Sequence, residues 1–146
     1  MSERHEKDRK WEMEPVTLIN INIEQYWKYL HVINQIMFDV ACNNRGFFAC
    51  NIHNKEVSIV VSVDLAQKYI IDNPLVLREH ISIFDISYHV INIAESVEDI
   101  TKPGIIFRVA GILKEAEIPI LNISTYQNDY ILVPVDHYHR TLQLIK

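Results

Sequence analysis

The chain has 146 residues, 49% of them apolar, and a net charge of −5. That length suits one compact domain or two small ones with a real core, and the apolar share excludes a disordered polymer. The acidic balance argues against nucleic acid and anionic membrane surfaces as partners, and no apolar run approaches the roughly 20 residues of a membrane span.

Residues 1–14 are charge-rich and mixed in sign, so a mobile tail is expected, with Trp11 and Met13 able to pack locally. The tail has no apolar stretch of the kind a secretory signal needs. VTLININI (16–23) alternates, with Ile19, Ile21 and Ile23 on one face and Asn20 and Asn22 on the other, as a strand does. In EQYWKYLHVINQIMF, Tyr26, Leu30, Ile33 and Met37 recur at helical spacing and predict an amphipathic helix. NNRG (43–46) is a turn, and FFACNIH and VSIVVSV are two strands joined by Asn54-Lys55-Glu56. Asp64 is placed to cap a short helix over LAQKYII, which Asn73-Pro74 stops before the strand ISIFDIS (81–87).

The order then repeats. YHVINIAE (88–95) reads as a strand, and Pro103 to Glu117 as a helix with Ile105, Val109, Leu113 and Ala116 in one stripe. IPILNIST and DYILVP form a hairpin around Gln127-Asn128-Asp129, and Asp136 is placed to cap a last helix carrying Tyr138, Leu142 and Ile145. The reading is an α+β chain of two tandem ferredoxin-like βαββαβ units, residues 15–87 and 88–146, the second lacking its last strand. The open edge needs a cover: a strand borrowed across the pair, the N-terminal tail or another subunit.

Three pieces of the second unit resemble the ACT domain, of the short paired type related to CASTOR-like amino-acid sensors. They are Pro103-Gly104 before an apolar helix, AEIPILNISTY, and the S-T-Y-x-x-D-Y-x-L-V pattern at Ser124, Thr125, Tyr126, Asp129, Tyr130, Leu132 and Val133. EVSIV (56–60) resembles the E-x-S-I-V strand of the preceding unit. The resemblance implies a non-enzymatic regulatory module that binds a free amino acid or related small ligand where units meet, as a homodimer or with a regulated protein partner. It implies a ligand site at Thr101, Pro103, Gly104, Ile105 and Ile106, at Ser124, Thr125 and Asp129, and at Glu56, Val57 and Ser58. It implies no catalytic residue, cofactor or metal. The first unit departs from the pattern: its loop, Ile23-Glu24-Gln25-Tyr26, has no glycine, which puts a second, symmetric site in doubt.

The residues themselves support a site on chemical grounds. With only three glycines in the chain, Gly104 is informative. Pro103 suits a first helical position, and the N–H groups of Gly104, Ile105 and Ile106 then face a carboxylate. Asp129 is the acidic candidate for an ammonium or a basic side chain, with Ser124 and Thr125 as hydroxyl contacts. Plainer readings stand beside these: Asp129 as a turn residue bonding its own backbone, Ser124 and Thr125 as ordinary strand positions, Gly104 as a close helix–sheet contact. A scaffold whose site has decayed is the alternative function.

Cys42 and Cys50 form no CxxC and are too few for a disulfide framework, so a reducing cytosolic or nuclear setting is expected, the cytoplasm foremost, with both thiols as small core hydrophobes. His137 and His139, two apart on a helix, point to different faces and make a poor metal pair. No nucleophile–base spacing and no phosphate-binding or zinc motif is present.

Overall fold

The computed structural model describes residues 14–94 and 103–145. The expected mobile tail therefore falls, apart from Glu14, outside the described residues, as do Trp11, Met13 and Thr101. The chain divides into two compact units, Met1–Ser87 and Tyr88–Lys146.

In the first unit, alternation produces β1 (Val16–Ile21). A 3-10 turn (Tyr26–Tyr29) leads into α1 (Leu30–Asn43), followed by β2 (Phe48–His53) and β3 (Glu56–Ser62). The next helix, α2 (Val63–Ala66), widens into a π-helical turn over Gln67–Ile71, and β4 (Ile81–Ile83) closes the unit. All pairings are antiparallel, in the order β2-β3-β1-β4, the ferredoxin-like arrangement. One face of the sheet, carrying Ile19, Ile21, Val57, Ile59, Val61 and Ile81, packs on α1 and α2. Glu56 belongs to β3, so the hairpin turn is only Asn54-Lys55.

The core face of α1 is not the expected stripe. Tyr29, Val32, Ile33 and Ile36 are buried, whereas Leu30 and Met37 are exposed. The helix is apolar on two sides, and periodicity alone does not choose between them. Asp39, on the buried side, accepts hydrogen bonds from Asn43 Nδ2 and Tyr69 Oη, both at 2.7 Å. These bonds, Asn43 first, hold its carboxyl below the usual range and tie α1 to α2. Asp64 lies inside α2 and caps nothing; Ser62 precedes the helix, and its buried Oγ accepts the Phe47 N–H at 2.7 Å. Cys42 is exposed rather than a core residue; Cys50 packs against the core, and burial pushes its thiol pKa up.

In the second unit, β5 (Tyr88–Ala94), α3 (Ile105–Glu115), β6 (Leu121–Ser124) and β7 (Asp129–Pro134) precede a 3-10 turn (Val135–His137) and α4 (Tyr138–Ile145). The order β5-β7-β6 repeats the first three strands of the first unit, and the described residues hold no fourth strand. Ile91, Ile131 and Val133 of the sheet pack on Val109 and Leu113 of α3, with Tyr138, Leu142 and Ile145 of α4 at the margin. Asp136 lies within the 3-10 turn, at whose start no side-chain cap forms.

Candidate functional site

The polar cluster of the second unit is built by strand register. Ser124 pairs with Asp129 across β6 and β7, and Asp129 pairs with Ala94 at the end of β5. Side chains alternate along a strand, so Asp129 shares the helix-covered face with Ile131 and Val133, and Asn122 and Ser124 share it on β6. Asp129 is 5% exposed. Its Oδ1 accepts the Ser124 hydroxyl at 2.6 Å and the Asn122 amide at 3.2 Å, while Asn122 also donates to the Tyr130 carbonyl at 3.1 Å. Oδ2 takes no hydrogen bond among the described residues.

Asp129 is therefore not the turn residue of the plainer reading. The turn is Thr125–Asn128, and Thr125 closes it. Its N–H donates to the Asn128 carbonyl at 2.8 Å, and its Oγ1 accepts the Asn128 N–H at 3.1 Å. Thr125 works for the loop, whereas Ser124 works for Asp129. Asn122 was missed by sequence reasoning, though its signal was present: it lies two residues before Ser124 and so faces the same way.

The start of α3 supplies the complementary chemistry. Gly104 is the residue before the helix, at φ 88° and ψ 4°, a left-handed conformation that favours glycine. Pro103 thus precedes the helix rather than opening it. The first intrahelical bond runs from Arg108 N–H to the Gly104 carbonyl at 2.9 Å, which leaves the N–H groups of Ile105 and Ile106 without intrahelical partners. A side chain built on Gly104 would meet nothing within 4 Å, so close packing is not why glycine stands there.

The first unit starts its helix differently. Asn22 Oδ1 accepts the Glu24 N–H at 2.9 Å, and the Asn22 carbonyl accepts the Gln25 N–H at 2.9 Å. Those two donors are satisfied within the turn that precedes the helix. Glu56, Val57 and Ser58 all lie on β3 of this unit. Glu56 is exposed and pairs with His53 at 3.1 Å, Ser58 is half-buried, and Val57 is fully buried in the core, so its side chain is not available to a ligand.

Among the described residues no group of three or more His, Cys, Asp or Glu could hold a metal ion. His139 packs edge-on against Tyr138 instead. No helix of the described residues is long and apolar enough to cross a membrane.

The carboxylate of Asp129 and the start of α3 are the second unit's candidate site. Residues 90–146 match the family model for the ACT domain. Among solved structures, the chain is similar to a Vibrio cholerae protein of unknown function described as a possible transport protein: TM-score 0.59, 16% identity, 90% of this chain and 81% of that one. It is similar to the aspartate kinase of Clostridium acetobutylicum, with TM-score 0.57, 14% identity, 90% of this chain and 32% of that one. It is also similar to the regulatory subunit of aspartate kinase from Thermus thermophilus, with TM-score 0.55, 12% identity, 92% of this chain and 93% of that one. At these identities the likeness is one of fold. No curated protein sequence matches the chain.

Proposed function

We propose that this chain is a non-enzymatic regulatory module whose ACT domain binds a free amino acid. The ligand carboxylate meets the uncapped N–H groups at the start of α3, with Pro103 and Gly104 leaving the approach open. The ammonium, or a basic side chain, meets Asp129. The observation that carries the reading is the buried Asp129 carboxylate, oriented by Ser124 and Asn122 through one oxygen. The ACT match over 90–146 and the fold shared with a regulatory subunit support a regulatory rather than catalytic role. The finer parts of the proposal are kinship with CASTOR-like sensors, a cytoplasmic location, and readout through a second copy or a regulated protein.

The test is thermal unfolding against each of the common amino acids at millimolar concentration. A ligand that binds only the folded state at a hundred times its Kd adds about 2.7 kcal/mol and moves the midpoint by several degrees. One selective amino acid is expected, and Asp129→Asn should abolish its effect while leaving the fold intact, since the amide oxygen still accepts from Ser124 and Asn122. A full shift retained in Asp129→Asn places the site elsewhere.

A ligand-free interaction scaffold is the second reading. It is favoured by the exposed Trp27 and Phe38 of the first unit. No stabilisation by any amino acid, together with a stable protein partner, would select it.

A further inference from the structure

The face of the first unit's sheet opposite its helices carries an ordered polar row. Asn51, Ser58, Asn20 and Ser82 stand in register, one on each of β2, β3, β1 and β4. They alternate with the core residues Ile19, Ile21, Val57, Ile59 and Ile81, so all four point away from α1 and α2. Part of this row lines a pocket of about 320 Å³ formed by Asn20, Asn22, Lys55, Glu79, His80 and Ser82, with Ile23 its apolar member.

The two charged residues are set by their surroundings. The Lys55 N–H donates to His53 Nδ1 at 3.3 Å, and His53 Nε2 lies 3.1 Å from Glu56 Oε1, which ties down the two-residue turn carrying Lys55. Across the pocket, the buried Tyr29 Oη accepts the Leu77 N–H at 3.2 Å and lies 2.6 Å from His80 Nδ1. The ring's Nε2 lies 3.7 Å from Glu79 Oε1. His80 is held at 14% side-chain exposure beside the exposed Glu79.

We infer that this pocket binds a small zwitterion of amino-acid size. Its carboxylate meets Lys55 Nζ, and its ammonium meets the Glu79 carboxylate with the side-chain oxygens of Asn20 and Ser82. An apolar ligand finds almost no apolar wall. A simple anion finds Glu79 opposing it, and a simple cation finds Lys55; only a molecule carrying both charges satisfies both ends. The row holds no aromatic side chain for a base to stack on. This site goes beyond the one proposed in the second unit and shares no residue with it.

The experiment is an amide NMR titration of the whole chain with glycine, L-serine and L-asparagine, with acetate and methylammonium as half-ligand controls. At least one amino acid should shift the Asn20, Asn22 and Ser82 amides saturably while neither control does at the same concentration. Glu79→Gln and Lys55→Met should each weaken that binding by about tenfold, the loss of one charge-assisted contact. Asp129→Asn, which removes the second-unit site, should leave these shifts unchanged. Absence of shifts at these amides with all three amino acids, equal shifts with acetate or methylammonium, or loss of the response in Asp129→Asn would each overturn the inference.

Discussion

The three glycines make a quantitative test of the backbone, because alanine should act differently at each. Gly111 lies inside α3 without a left-handed φ, and a Cβ there meets nothing within 4 Å. Gly111→Ala should therefore stabilise by about 1 kcal/mol, the helix-propensity difference. Gly104 also faces open space, but at φ 88°. Gly104→Ala has no clash to relieve and should cost only the left-handed strain of an L-residue, about 1–2 kcal/mol. Gly104→Asn should cost less, because asparagine tolerates that region. Gly46 combines both problems: φ is +71°, and a Cβ would sit 2.6 Å from Ser62 Oγ and 3.0 Å from Leu65 Cδ1. Ser62 cannot simply move, being fully buried with its Oγ bonded to the Phe47 N–H. Overpacking then adds about 1–3 kcal/mol to the strain. Native-state hydrogen exchange reads each unit from its own core amides, Ile59 and Val61 in the first, Val109 and Leu113 in the second. The expected order of stability is Gly111→Ala above wild type, then Gly104→Ala, then Gly46→Ala. A neutral Gly104→Ala would refute the reasoning, since the chain would then reach the helix start without a left-handed residue.

Ser124→Ala removes the 2.6 Å bond to Asp129 and leaves Asn122 as the carboxylate's remaining side-chain partner; a loss of about 1.5–3 kcal/mol in urea unfolding is expected for a bond to a charged group. His89 packs tilted on Tyr138 with ring centroids 4.3 Å apart, and its buried Nδ1 has no hydrogen-bond partner among the described residues; burial, then the neighbouring His139, lowers its pKa. The unfolded imidazole therefore takes up a proton first, so stability is lost as pH falls below the ordinary value of about 6.5. His89→Phe should keep the stack and flatten that part of the stability–pH curve; an unchanged slope would count against the assignment. The Asp39 carboxyl is shifted down, so its stabilisation is present above the ordinary carboxylate pKa and is lost as pH falls toward the lowered value. Tyr69→Phe removes one of the two bonds responsible and should move acid unfolding of the first unit to higher pH.

The strands were legible because each half-buried sheet writes a period of two into the chain, and Ile19-Asn20-Ile21 in β1 carries it. Helix positions were legible for the same reason, but the facing of α1 was not. Its residues are apolar at both 29-32-33-36 and 30-37, and only the packed sheet selects the first set. The site was legible as a list of residue types and illegible as geometry. Asp129 next to Asn128 suits a turn equally well. What moves it into β7 is Thr125, which closes the loop one residue earlier with its own hydroxyl. The purpose of Gly104 was open among ligand approach, packing and conformation, and a backbone angle cannot be read from a letter.

The two units share a topology and part company where a ligand-binding property would have to reside. A helix start has more donors than the helix can use, and the chain satisfies them in one of two ways. In the first unit Asn22, in the turn before the helix, accepts the Glu24 N–H, so a carboxylate approaching that amide would have to displace a bond already made. In the second unit the residue before the helix is Gly104, which has no side chain to accept from the first turn and takes a left-handed angle. Equal folds therefore do not make equal sites. A carboxylate that met the Ile105 and Ile106 N–H groups in the second unit would meet, at Glu24 in the first, a donor already held by Asn22.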